Sequence, residues 1–224
     1  MARIRVLSGA GRYTDPWHPF AQSSDAAARV LRDAGHDVDI APTLSPACLA
    51  GLDSVDLVVV NAGAGADPSE AGTPASDPGW DEAHATFGAW LDDRGRALAL
   101  HTGINTFRDW TDWPRRVGGT WTPGVSGHPE RSIATFEAVP DAAGHPVLGG
   151  LAEVTCYDER YWRMGVDDTS LRYLRHETGE EWHDVCWVSS SGVVYDALGH
   201  DARSYASPSR ARLLAAEASW LLGR

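Results

Sequence analysis

Hydrophobic positions along this chain fall into two kinds of pattern. Short runs rich in apolar residues occur at residues 3–7, 36–40, 55–60 and 97–100. The last two have almost no polar face, which fits central parallel strands covered on both sides. Between them the apolar residues recur at helical spacing. Ala27, Val30, Leu31 and Ala34 share one face of a helix predicted over residues 21–34, stopped by Gly35. Trp80, Ala83, Phe87, Trp90 and Leu91 share one face of a second helix, over residues 80–93. Strand and helix alternating in this way predict a doubly wound α/β architecture.

The second half reads differently. Alternation predicts a strand at residues 132–139 and a strand-like run at 154–164. Further strands are predicted at 171–175, 185–189 and 193–198. Ser207 followed by Pro208 predicts the cap and first position of a closing helix over 208–222. Residues 61–79 are rich in Gly, Ala, Pro, Ser and Asp and carry no amphipathic period, so a loop insertion is expected. Residues 108–116, with Trp110, Trp113 and Pro114, read as irregular. No internal repeat or linker divides the chain, and one domain over residues 1–224 is expected.

One stretch stands out for chemistry. The apolar run 97–100 leads straight into His101, Thr102 and Gly103, predicting a buried strand, a sharp turn and a short helix beginning near Ile104. Open α/β sheets bind ligands outside the carboxyl ends of their strands, so His101 stands where a reactive group belongs. The bland alternative is a histidine that caps the strand and bonds backbone.

Composition narrows the classes. A formal net charge of −12 argues against nucleic acid or an anionic membrane surface as partner. All 19 basic residues are arginine, which excludes a lysine Schiff base and a P-loop lysine. Gly9 and Gly11 lack the third glycine of a dinucleotide loop, so no nucleotide cofactor is expected. Cys48, Cys156 and Cys186 make neither an even set nor a CxxC pair. No apolar run approaches ~18 residues and no signal-peptide pattern is seen, so a soluble cytoplasmic protein is expected.

Four segments place histidine after a strand or at a turn: Trp17-His18-Pro19, His101-Thr102-Gly103, Gly127-His128-Pro129 and Leu198-Gly199-His200-Asp201. With HPVLGGL at residues 145–151, DERYW at 158–162 and a closing helix carrying Trp220, this ordered set resembles the ThuA-like (trehalose-utilisation) family along nearly the whole chain. The resemblance implies a class I glutamine amidotransferase-like fold: a flavodoxin-like three-layer sandwich with a mostly parallel sheet. In true amidotransferases the elbow after the strand carries a nucleophilic cysteine. Here that place holds His101 and no cysteine is near it in sequence, so thiolate chemistry is disfavoured. His128-Pro129-Glu130 copies the amidotransferase His-Pro-Glu by letter but follows His101 too closely in sequence; His200 is the better positional match.

The family is associated with carbohydrate use, on disaccharides or their keto-sugar derivatives. The expected function is therefore a sugar isomerase, lyase or hydrolase working by acid–base or metal-assisted chemistry, with a small-molecule sugar as partner. A sugar- or effector-binding module without turnover is the alternative. The catalytic candidates are His101, His128, Glu159 and His200, and the substrate-binding candidates are Trp17, His18, Asn105, Tyr161 and Asp201. Asp158 and Glu159 read either as acid–base groups or as a solvated strand face paired with Arg160 or Arg163. Several histidines with a carboxylate leave a divalent metal such as zinc open, although no HxxH or HExxH spacing is present. His145 reads as structural. His36, His84 and His176 read as surface residues, and His183 reads as part of a charge cluster with Glu180, Glu181 and Asp184. A homo-oligomer is compatible with the sequence.

Overall fold

Strands without a polar face can be stable only between covered layers, and this is where the apolar runs lie. The computed structural model describes residues 1–64, 77–94 and 96–223. In it β1 (Arg3–Ser8), β3 (Leu57–Asn61) and β4 (Ala97–Leu100) lie side by side. Every residue of β3 and β4 is buried. β2 (Asp37–Pro42) pairs with β1, and β11 (Val194–Asp196) with β4, making five parallel strands.

Beyond β11 the same sheet continues antiparallel through β10 (Glu181–Val188), β9 (Leu171–Thr178), β6 (Ser132–Ala138) and β7 (Glu153–Asp158). The order of the nine strands is β2-β1-β3-β4-β11-β10-β9-β6-β7. A separate ribbon joins β5 (Gly119–Thr120) to β8 (Gly165–Val166). The fold is the expected α/β class, a large sheet with helices against it.

The helices follow the sequence pattern closely. α1 (Phe20–Asp33) buries Ala27, Ala28 and Leu31, and Gly35 just beyond it has φ +91°, the left-handed conformation that suits a helix end. α2 (Pro78–Arg94) covers the predicted second helix. A short α3 (Trp113–Val117) forms within the region expected to be irregular, with Pro114 in its first turn, where the missing N–H costs nothing. α4 (Pro208–Leu222) matches its expected bounds, and Ser207 Oγ accepts from Arg210 N at 3.4 Å. α1 and α4 pack on each other and on the sheet. Under α4, fully buried Arg210 pairs with Asp196 at 2.8 Å, and Tyr173 donates to Glu217 at 2.6 Å. No helix among the described residues is long and apolar enough to cross a membrane.

Three further expectations change. The helix predicted near Ile104 is a single 3-10 turn, His101–Ile104. Gly103 there lies against the carbonyl of Val60, where a Cβ would stand only 2.7 Å away. The chain then bends again at Phe107, with φ +51°. The strand-like run 154–164 leaves the sheet after Asp158, because that carboxylate turns inward to bind backbone N–H groups. β9 and β10 are longer than predicted, since they form a hairpin through Gly179, at φ +66°. Most of the loop insertion expected over 61–79 falls on 65–76, outside the described residues.

Candidate functional site

The site begins at the elbow after β4. His101 adopts φ +50°, a left-handed conformation that costs a non-glycine residue about 1 kcal/mol or more. Three bonds hold it there. Tyr195 donates its hydroxyl to His101 O at 2.9 Å, Thr102 donates to Ala62 O at 3.1 Å, and Trp113 Nε1 donates to Gly103 O at 2.9 Å. The His101 ring is buried, and its Nδ1 lies 2.7 Å from Ala197 O. A carbonyl only accepts, so Nδ1 carries the proton. Nε2 therefore faces the Tyr161 hydroxyl at 2.8 Å and Glu159 Oε2 at 3.4 Å.

Asp158 and Glu159 leave the end of β7 in different directions. Buried Asp158 accepts from the backbone N of Glu159 (3.0 Å), Gly199 (2.7 Å) and His200 (3.2 Å), and from the Ser204 hydroxyl (2.5 Å). It thus pins the turn after β11 against β7. Gly199, at φ +116°, has no room for a Cβ, which would collide with the Tyr205 hydroxyl. The pinned turn lays His200 against Glu159, with Nδ1 to Oε1 at 3.0 Å. That contact is close but out of line for a hydrogen bond, and both ring nitrogens of His200 are buried without a hydrogen-bond partner.

The fourth group comes from the loop after β1. Asp15 Oδ1 accepts from the backbone N of Trp17 (2.9 Å) and His18 (3.0 Å), and from His18 Nδ1 (2.7 Å). The turn delivers the His18 ring to the other two imidazoles. Ring centres are 5.0 Å apart for His18 and His101, 4.6 Å for His18 and His200, and 5.2 Å for His101 and His200.

Electrostatics follow from this packing. Burial alone would raise the Glu159 pKa, but His101 and His200 outweigh it and hold the carboxyl well below its usual range. Burial pushes His101 down, yet its bond and charge interaction with Glu159 prevail, so its pKa is raised. Burial also lowers His18; the bond to Asp15 opposes this, and the charges of His101 and His200 add to the fall. Tyr161 is raised well above its ordinary value by burial, then by Glu159.

Above the cluster opens a cavity of about 570 Å³, within the range of small-molecule sites. His18, Glu159, Tyr161 and His200 line its floor, while Trp17 and Trp121 offer aromatic faces. Trp17 is 63% exposed. Asn105 lines the wall, and His128 is half-exposed, 3.6 Å from Glu159 Oε1. His128 Nδ1 also donates to Pro129 O at 3.0 Å.

Asp201 is not brought to the cavity. Its carboxylate turns to Arg203 at 2.6 Å and Arg131 at 2.9 Å, because the turn that presents His200 sends the next side chain the other way. Asp158 and Glu159 are buried rather than part of a solvated face paired with arginine. His84 and His176 are buried as well, not on the surface: His84 is stacked on Trp110, and His176 Nε2 donates to Tyr161 O at 2.8 Å. His145 is structural, with Nδ1 accepting from Val147 N at 3.2 Å. Sequence reasoning missed Asp15 and Trp121. Asp15 had a readable signal, an acidic residue three before a histidine in a turn; Trp121 had none.

Comparison with known proteins gives a family and a shared fold. The family model described as ThuA, trehalose utilisation, matches residues 5–221. No curated protein sequence matches significantly. A ThuA-like protein from Parabacteroides merdae ATCC 43184 superposes with a TM-score of 0.77 at 17% identity, covering 99% of this chain and 90% of that one. A ThuA-like protein from Bacteroides uniformis ATCC 8492 gives 0.70 at 14% identity, covering 98% and 90%. A glutamine amidotransferase from Thermotoga maritima gives 0.53 at 11% identity, covering 88% and 75%, which shows a shared fold.

Proposed function

The chain belongs to the ThuA, or trehalose-utilisation, family, and on that premise we propose that it is a carbohydrate-active enzyme acting on a disaccharide or a keto-sugar derivative of one. The observation that carries the reading is the meeting of Glu159 and His200 on the floor of a cavity with tryptophan faces, with buried His101 behind Glu159. Apolar stacking faces beside charged hydrogen-bonding groups suit a sugar ring, which has C–H faces and a hydroxyl edge.

The chemistry this arrangement supports is proton abstraction beside a carbonyl. Glu159 keeps its negative charge and stabilises positive charge on either imidazole. His200 has Nε2 on the side of the ring away from the carboxylate, with no partner to compete for a proton. It takes the proton from the carbon next to the ketone. The electron pair moves into an enolate, whose oxygen is met by the Tyr161 hydroxyl or by the His128 ring. Returning the proton to the former ketone carbon, while the hydroxyl proton of the carbon that lost it passes to the enolate oxygen, isomerises the sugar. Collapse of the enolate with expulsion of a glycosidic oxygen from the next carbon, that oxygen taking up the proton held by His200, cleaves it. The buried cysteines do not line the cavity, and this disfavours amidotransferase chemistry.

Keto-disaccharides incubated with the protein in D2O and followed by proton NMR test the proposal. Deuterium exchange beside the ketone, with or without a new sugar, is the expected result. Shifts on binding with no exchange and no product after long incubation would assign the site to a binding module instead.

A further inference from the structure

We propose that His18, His101, His200 and Glu159 form a binding site for one first-row divalent cation of the zinc class. Their four donor atoms lie within 4.8 Å of one another. Across a tetrahedral zinc with bonds of 2.0–2.1 Å, donors stand about 3.3 Å apart. Small side-chain rotations cover the difference.

Three features point to an ion rather than to a packed polar core. Two of the imidazoles are held from behind in the way metal-ligating histidines are. His18 Nδ1 is bonded to the Asp15 carboxylate at 2.7 Å and His101 Nδ1 to the Ala197 carbonyl at 2.7 Å, which leaves Nε2 as the ligating atom of each; on His101 the ion would replace the hydrogen bond from the Tyr161 hydroxyl. The third imidazole, His200, is 5% exposed and has neither ring nitrogen hydrogen-bonded. A buried imidazole with two orphan nitrogens costs stability unless something absent from the protein meets them. Finally, Glu159 brings a buried negative charge to the same point, and three imidazoles with one carboxylate suit zinc.

A second buried cluster marks the contrast. Cys186, Asp196 and Glu217 also lie within ligand distance of one another, but Arg210 already supplies their cation at 2.8 Å from Asp196. Among the described residues no arginine is ion-paired with Glu159 in this way. His18, Glu159 and His200 line the cavity, so an ion there would face the substrate space and could take a sugar carbonyl or hydroxyl oxygen as a further ligand. That role rests on the sugar reading above; the binding of the ion does not. With the ion bound His200 would be a ligand, leaving the half-exposed His128 of the cavity wall to take the proton.

The test is a titration of chelator-treated protein with Zn2+ alone, by calorimetry and by metal analysis after dialysis. One ion per chain is expected, with zinc-edge X-ray absorption giving N/O neighbours at about 2.0–2.1 Å. H200A and H18Q should each weaken affinity at least 100-fold. D15N, which alters the bond behind His18 without removing a ligand, should weaken it about 10- to 100-fold. H145A, away from the site, should bind as the unaltered protein does. Circular dichroism separates lost binding from lost folding, and D15N and H18Q stand in should H200A not fold. Failure of the unaltered protein to take up stoichiometric zinc at millimolar concentration overturns the proposal, as does equal affinity in the folded H18Q and H200A variants. Zinc binding without reaction of any keto-sugar would sustain the site and remove the sugar reading alone.

Discussion

His101 Nδ1 donates to the carbonyl oxygen of Ala197 across 2.7 Å, joining the end of β4 to the chain just beyond β11. This bond selects the tautomer and turns the other ring nitrogen towards Glu159 and Tyr161. The imidazole that meets Glu159 is therefore also part of the frame.

That dual role makes the outcome at position 101 depend on the replacement. Asparagine tolerates the left-handed conformation seen at His101. H101N should keep a melting temperature close to that of the unaltered protein and lose turnover of the keto-sugar. H101A leaves the Tyr161 hydroxyl without its partner at Nε2 and puts a Cβ-bearing residue with no compensating bond at φ +50°. It should lose about 1–3 kcal/mol by urea denaturation as well as activity.

Asp158 should prove more costly to change than any residue of the cavity floor. Its two oxygens accept three bonds from backbone N–H groups, one from the Ser204 hydroxyl and a longer one from the Cys156 thiol. In D158N the amide nitrogen turns a donor towards one of those donors. A loss of about 2–4 kcal/mol is expected in urea denaturation. The Glu159–His200 contact should go with it, read as loss of keto-sugar turnover at a temperature where the variant is still folded.

Asp201 makes the opposite case. Its partners Arg203 and Arg131 are partly exposed, so D201N should cost under about 1 kcal/mol. Sugar affinity by calorimetry should be unchanged. A tenfold loss of affinity would place Asp201 in the substrate path after all.

The buried network under α4 should make stability depend on pH through Glu217. Burial first, and then the charge of Asp196, raise its pKa well above the carboxylate range, so the folded protein holds this proton where the unfolded chain releases it. The stabilisation is fully present below the unfolded value near pH 4.3. It is lost as pH rises towards the folded value, by about 1.4 kcal/mol per pH unit. Glutamine mimics the protonated form and still accepts from Tyr173. E217Q should therefore lose less stability between pH 5 and 8 than the unaltered protein, measured by urea denaturation at each pH. Identical slopes for the two would show that Glu217 is ionised in the fold.

Much of the architecture was legible in the pattern of apolar residues. β3 and β4 announced themselves by having no polar face, and α4 by a serine cap with proline behind it. The elbow histidine and the histidine after the last strand were legible because strand ends in such sheets border a cleft. What sequence could not show was direction. His200 and Asp201 are neighbours in the chain, yet one faces Glu159 and the other two arginines. Asp158 and Glu159 likewise part company, one into the backbone of a turn and one into the cavity. These choices depend on a turn conformation at Gly199 and on contacts between residues far apart in sequence. The antiparallel extension was equally hidden, because alternation within a strand does not say which neighbour it will pair with.

β11 is only three residues long, follows every other strand in chain order, and sits between β4 and β10. During synthesis those two strands reach the solvent first and wait with open edges for the short piece that joins the parallel and antiparallel halves. The same piece leads into the Ala197 carbonyl and His200. A nascent chain therefore passes through a stage with two unzipped edges and no assembled site, when it is most exposed to mispairing with its neighbours on the polysome.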